Sequence, residues 1–239
     1  MQAFILAAGL GTRLKPITDN RPKALVEVQG ITLLQHTIDN LKRQGISHIV
    51  VNVHHHAAMV KEFILNHSWG IPVVISDESD LLLDTGGGLK KAAPLFLENE
   101  PILIHNVDIL SRTNFAELLN HHTDSMSLAT LVTSQRKTSR YLLFHNQQLM
   151  GWNNQKTDEF LWVNDRVDIY QELAFDGIAL IEPHLIDLLP AADHPYSIIP
   201  AYLKIAKKHR ISYFEIPQED WIDVGKHETL NQAQQWKLS

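Results

Sequence analysis

The residues best suited to chemistry stand near the start of the chain. Gly9 and Gly11 follow the apolar run 4–8, which reads as a buried strand. Glycines at a strand's end let the backbone approach a ligand closely. Their N–H groups can then converge on phosphate oxygens. Arg13 adds a planar fork of donors, and Lys23 a compact charge suited to a phosphoryl group. These four residues describe a cradle for a triphosphate. A G-x-G pair alone also fits an ordinary turn, since it lacks the third glycine of a dinucleotide fingerprint and the Gly-Lys-Ser/Thr of a Walker loop. Farther along, Asp108 follows the apolar run 101–105, a further strand. A carboxylate at the end of a parallel strand beside a phosphate site suits Mg²⁺, a hard ion that prefers carboxylate and phosphate oxygens. The competing reading makes it a cap for the helix near Asn114.

The elements around these residues must hold them together. Leu33, Leu34, Ile38 and Leu41 recur at helical spacing over 32–44, and Gly45 closes the helix. A strand over 48–53, a helix over 57–65 and a strand over 71–75 follow. Strand and helix alternating at this spacing imply parallel strands joined by crossovers. Ligands of such sheets sit beyond the carboxyl ends of the strands, where Gly9 and Gly11 lie. The expected fold is therefore α/β, with a Rossmann-like, mostly parallel central sheet. Gly86, Gly87 and Gly88 open a helix after Thr85, either as a second place of close backbone approach or as a flexible loop. Strands at 127–132 and 140–144, completed by 149–152, read as a small antiparallel meander, and the polar stretch 153–170 as an irregular flap. A strand at 175–181 carries Asp176 and Gly177, a glycine that marks either close ligand approach or a bulge. Helices are expected at 183–189 and 197–209, then a strand at 211–216 and a terminal helix with Leu230, Ala233 and Trp236 on its apolar face.

Composition narrows the classes. A net charge of −6 argues against a nucleic acid or an anionic membrane as the main partner. The absence of cysteine excludes disulfides, thiolate catalysis and cysteine-based metal sites. No stretch approaches the ~20 apolar residues of a membrane span, and residues 1–8 lack the basic start and long apolar core of a signal peptide. The expected location is the cytoplasm. Fourteen histidines, including His54, His55 and His56, read as surface or loop residues, because neighbours on a strand point to opposite faces.

The longer string L-A-A-G-x-G-T-R-L-x-P-x-T-x-x-x-P-K-x-L, running from Leu6 to Leu25, resembles the opening of the sugar-1-phosphate nucleotidyltransferases, the NDP-sugar pyrophosphorylases. The stretch Trp221, Asp223, Gly225 resembles that family's W-x-D-x-G, so the likeness spans nearly the whole chain. The resemblance implies one domain over 1–239 without a C-terminal β-helix, with a nucleotide-binding half (1–125) and a sugar-binding half (126–239). It implies that Leu6, Ala7, Ala8, Gly9, Gly11, Thr12, Arg13 and Lys23 bind the nucleotide, joined by Thr85, Gly86 and Gly87 near the base. It implies that Gly88, Asn106, Asp176 and Gly177 face the sugar, and that Asp108 and Asp223 hold Mg²⁺. Arg13, Lys23, Asp108 and Asp223 would carry the transfer: a sugar 1-phosphate attacks the α-phosphorus of a nucleoside triphosphate and expels pyrophosphate. Two departures stand out. Val107 replaces a usual glycine before the metal aspartate, and the Glu-Lys-Pro whose lysine grips the sugar phosphate is missing, leaving Lys156 as a substitute or a solvated flap residue.

The short chain, the run from Asp84 to Gly88 and the missing Glu-Lys-Pro look most like the N-acetylmuramate-1-phosphate uridylyltransferases of cell-wall recycling. Guanylyltransferases for mannose or heptose 1-phosphate come next. Phosphocholine cytidylyltransferases share the Pro22–Val26 pattern and would favour an aromatic cage, for which Trp152 and Trp162 are candidates. A non-catalytic sugar-nucleotide sensor would not need two metal carboxylates. A metal-dependent glycosyltransferase would show Asp-x-Asp where this chain has Asn106, Val107 and Asp108. Monomer and homodimer both remain open.

Overall fold

The structure, a computed structural model, describes residues 1–236. The chain opens with β1 (Gln2–Leu6) and a hairpin of two short strands, β2 (Glu27–Val28) and β3 (Ile31–Thr32). Then come α1 (Leu33–Arg43), β4 (Ile49–Val53), α2 (Ala57–Leu65), β5 (Val73–Asp77) and α3 (Asp84–Ala92). The middle of the chain forms β6 (Ile102–Asn106), β7 (Ile109–Ser111), α4 (Phe115–Asp124) and β8 (Ala129–Ser134). β9 (Arg140–His145), β10 (Gln148–Asn154), β11 (Glu159–Trp162) and the long β12 (Gln171–Ile181) follow. The chain continues through α5 (Ile198–Ile205), β13 (Ile211–Glu215), β14 (Trp221–Asp223) and α6 (His227–Ala233).

Local chemistry sets these boundaries. The Thr32 side chain caps α1 by accepting from the Gln35 N–H at 3.2 Å, and Gly45 ends the helix at φ +86°. Asn114 caps α4, accepting from the N–H groups of Ala116 and Glu117. β1 and β4 are buried on both faces, which is why they read as unbroken apolar runs.

The strands β5, β4, β1 and β6 pair in parallel, with β1 at the centre. β12 runs antiparallel to β6 and joins this parallel part to β8 and β9; β8 in turn pairs in parallel with β13. One face packs against α1, α2, α4 and α6, the other against α3 and α5, so each face has its own apolar core. β7 and β14 form a separate two-stranded ribbon over the first face.

Three expectations change. β8 is not part of the meander, which consists of β9, β10 and β11; every residue of β8 is buried, and a fully buried strand carries no periodicity that names its neighbour. The expected flap contains β11, a strand with three exposed residues on the outer edge of β10. The two helices expected at 183–189 and 197–209 are a 3₁₀ segment over Pro183–Leu188 and the shorter α5.

Candidate active site

Leu6 stands opposite Asn106 in the sheet, so the glycine loop and Asp108 leave neighbouring strands at the same edge. Gly9, Leu10, Thr12 and Arg13 are exposed, and a Cβ on Gly9 would meet nothing within 4 Å. Gly11 is different. It holds φ +64°, and a Cβ there would lie 3.0 Å from the Thr18 methyl and 3.2 Å from the Lys23 Cβ. The Thr18 hydroxyl donates to the Gly11 carbonyl at 2.8 Å. The loop thus folds back on Lys23. The N–H groups of Ala7 and Ala8 are already engaged, donating to the Asn52 Oδ1 at 2.7 and 3.2 Å. The free part of the loop begins at Gly9.

Lys23 is half-buried, and its ammonium pairs with the Asp108 carboxylate. Asp108 sits in the turn between β6 and β7, and β14 pairs with β7 so that Asp223 stands opposite Ile109. The Val224 N–H donates to the Asp108 carbonyl at 2.8 Å. This ribbon brings the two aspartates close enough for each carboxylate to feel the other's charge. One Asp223 oxygen accepts from the Gly225 N–H at 2.7 Å, and the other lies 3.6 Å from the Arg13 guanidinium. A Cβ on Gly225 would stand 2.5 Å from that guanidinium, so the glycine of W-x-D-x-G makes room for Arg13. Arg13, Lys23, Asp108 and Asp223 therefore meet in one place, and Asp108 is no helix cap.

Their charges act on one another. Burial, the largest single influence, pushes the Asp108 carboxyl up, but the Lys23 charge and the hydrogen bonds to the carboxylate together outweigh it and hold the group below the ordinary carboxylate range. Burial and the Asp108 charge push the Asp223 carboxyl up, against Lys23 and Arg13. Two neighbouring carboxylates repel unless a cation or a shared proton lies between them. Among the described residues no group of three or more His, Asp or Glu could hold a metal. The donor set offered here is two carboxylates, which suits an ion that keeps waters and takes phosphate oxygens. Val107 is buried in the first core and is not among the residues with positive φ, so this turn needs no glycine.

The remaining expected site residues divide. Gly177 has φ +75°, and a Cβ there would stand 2.7 Å from the Asn106 amide nitrogen, so these two residues touch beside Asp108. Asp176 is fully buried: Arg136 donates to it at 2.8 Å and Ser134 at 3.1 Å, while its Oδ2 has no partner. Arg136 also stacks 4.3 Å above the Trp221 ring. Burial raises the Asp176 carboxyl to about 6. It is an interior ion pair and offers no surface to a sugar.

Gly86, Gly87 and Gly88 are buried in the first turns of α3. A Cβ on Gly86 would overlap the Tyr196 ring, one on Gly87 would press on Leu83 at 3.0 Å, and one on Gly88 on Glu78 at 2.6 Å. The N–H groups of Gly86 and Gly87 point to the Tyr196 carbonyl, and the Thr85 hydroxyl accepts from the Ile198 N–H at 2.9 Å. In this structure these residues clamp α3 against 194–198 and leave no free backbone donors for a base. Lys156 is exposed in the turn after β10. Trp152 packs on the second core, while Trp162 meets Phe160 and Tyr170 on the flap.

The sequence reading missed Asn52, Glu78 and Arg136. The first had a visible signal: Asn52 interrupts an apolar strand, and a buried amide must find partners.

The family model described as nucleotidyl transferase matches residues 2–144. An N-acetylmuramate alpha-1-phosphate uridylyltransferase of Caulobacter vibrioides is 32% identical, over 93% of this chain and 91% of that protein. A mannose-1-phosphate guanyltransferase of Yarrowia lipolytica is 28% identical, over 95% of this chain but 61% of its own length. Among solved structures, a putative glucose-1-phosphate thymidylyltransferase of Bacillus anthracis superposes with a TM-score of 0.78 at 20% identity, covering 98% of this chain and 94% of that one. HddC of Yersinia pseudotuberculosis, complexed with GMP-PN, gives 0.75 at 19% identity and covers 98% of each chain.

Proposed function

The chain belongs to the nucleotidyl transferase family, and we propose that it joins a nucleoside triphosphate to a sugar 1-phosphate and releases pyrophosphate. One observation carries this reading. Two cations and two carboxylates from separate segments converge beside an open glycine loop.

Transfer of this kind needs positioning and charge neutralisation more than covalent help. The loop from Gly9 and the Arg13 fork hold the β- and γ-phosphates and stabilise the charge on departing pyrophosphate. Lys23 lies deeper, beside Asp108, where it neutralises the α-phosphate and the incoming sugar phosphate. A sugar-phosphate oxygen forms a bond to the α-phosphorus as the bond to the β-phosphate oxygen breaks. The nucleophile is already an anion, so no side chain has to take a proton. Asp108 and Asp223 fit Mg²⁺, which when bound neutralises phosphate charge. The Asn106 and Gly177 contact borders the same carboxylates and forms the wall against which the sugar rests.

For substrates we infer UTP and N-acetylmuramate 1-phosphate, a reading supported by the Caulobacter relative, which matches over nearly its whole length. A second reading, GTP with mannose 1-phosphate, has the support of the guanyltransferase relatives. The test is pyrophosphate release with Mg²⁺ over UTP, GTP, CTP, ATP and dTTP, each paired with N-acetylmuramate, mannose, heptose and choline phosphates. UTP with N-acetylmuramate 1-phosphate is expected to be the productive pair. Tight nucleotide binding with no pyrophosphate from any pair would replace the enzyme reading with that of a sensor.

A further inference from the structure

Behind the open loop lies a buried carboxylate that the transfer does not use. Glu78 is fully buried; its Oε1 accepts from the Asn52 amide at 2.7 Å and its Oε2 from the Leu83 N–H at 3.1 Å. Asn52, also buried, turns its own oxygen to the N–H groups of Ala7 and Ala8. A carboxylate can only accept, so Glu78 dictates which way the Asn52 amide faces. That keeps the amide oxygen on the two donors that end β1, directly before Gly9. Gly88 makes the arrangement possible: a Cβ there would stand 2.6 Å from the Glu78 oxygen and 3.0 Å from the Asn52 nitrogen. Leu83 immediately precedes α3, so one carboxylate links the start of the phosphate loop to the entry of the glycine helix.

We propose that Asn52 and Glu78 are positioning residues for the phosphate loop: the chain from Glu78 through Asn52 to Ala7 and Ala8 fixes the direction in which β1 delivers Gly9 to Arg13. The inference rests on the reading of that loop as a triphosphate cradle. Burying a carboxylate is costly even when it is hydrogen-bonded, and burial pushes the Glu78 carboxyl up. An apolar pair would pack at lower cost but would leave the two β1 donors without an acceptor.

The hydrogen-bond pattern supplies its own test. Asn52→Asp sets two carboxylates face to face. Glu78→Gln leaves an amide that can serve Asn52 or Leu83 but not both. The double variant Asn52→Asp/Glu78→Gln restores every bond with only the one between positions 52 and 78 reversed, since the new carboxylate accepts from Ala7, Ala8 and the new amide, whose oxygen accepts from Leu83. Calorimetric titration with UTP and GTP in the presence of Mg²⁺, steady-state KM and kcat, and thermal melts are measured for all four proteins. Each single variant is expected to weaken nucleotide binding about tenfold, the loss of one well-placed hydrogen bond. The KM for the sugar phosphate should stay within about twofold, and the double variant should bind within about threefold of the unaltered chain. A role in packing alone would lower melting temperatures without this split and without rescue. Single variants that bind nucleotide normally, or a double variant no better than the weaker single, would overturn the proposal. If a single variant fails to fold, the double variant decides. An unaltered chain that binds neither nucleotide overturns the cradle reading itself, and the relay with it.

Discussion

Two glycine clusters in this chain face opposite fates. Gly9 stands in open space at the edge of the sheet, in a loop that four charged residues surround, whereas Gly86, Gly87 and Gly88 are filled by Tyr196, Leu83 and Glu78. Both clusters lie at the junction of a loop and a regular element. Composition does not separate them; their surroundings do. At the open edge a missing side chain admits a ligand, and in α3 it admits the rest of the protein.

The largest expected effect lies at the open edge. Asp108→Asn leaves the Lys23 charge without its carboxylate and removes one of the two carboxylates proposed to hold Mg²⁺, so kcat should fall roughly 10³-fold while the fold survives. Turnover near normal at saturating Mg²⁺ would dissolve the contrast. Next comes the closed cluster. Gly86→Ala forces a methyl into the Tyr196 ring, and overpacking of this kind costs about 1–3 kcal/mol. Urea unfolding should show that loss of stability; a melt unchanged from the parent would mean that α3 is not clamped.

A third prediction tests a buried carboxylate of the closed kind. Asp176 titrates at about 6 when folded against an ordinary 3.8, so the folded chain holds its proton more tightly than the unfolded one. Stability from this group is therefore complete below the unfolded value and is lost as pH rises through about 6, by about 3 kcal/mol at most. Asp176→Asn should flatten that part of the stability curve measured by denaturant between pH 4 and 7. An unchanged slope would show that Arg136 keeps the carboxylate ionised throughout. The smallest effect belongs to Gly9→Ala, where a methyl meets nothing. Stability should hold, and only the KM for the nucleoside triphosphate should rise, by a fewfold. A stability loss equal to that of Gly86→Ala would erase the difference between the two clusters.

Much of the open edge was legible in the sequence because each of its residues has a type that fits one task. Gly9, Arg13 and Lys23 fit a phosphate cradle and Asp108 a cation ligand by type, Asp223 was singled out only through the W-x-D-x-G resemblance, and the strand–helix alternation placed Gly9 and Asp108 at strand ends. The manner in which Asp223 arrives was hidden, because it depends on β7 and β14, two strands of three residues each, too short for any periodicity. The closed cluster was hidden for a different reason. What fills the space at Gly86 is Tyr196, over a hundred positions away, and no local pattern in a run of glycines names the ring that will cover it. Asp176 misled similarly, since Arg136 and Ser134 reach it only through the pairing of β8 with β12.

β12 has a mechanical consequence for the whole molecule. This one strand of eleven residues hydrogen-bonds to β6, to β8 and to β9, so the two halves of the sheet hold a single strand in common. Neither half can release it without opening the other. Scanning calorimetry is expected to give one transition whose calorimetric and van't Hoff enthalpies agree, and a nick in β12 should cost the parallel part of the sheet as much as the part built from β8 and β9. The edge that gathers charge and the strands on the far side of β12 would then be lost together, at the same temperature.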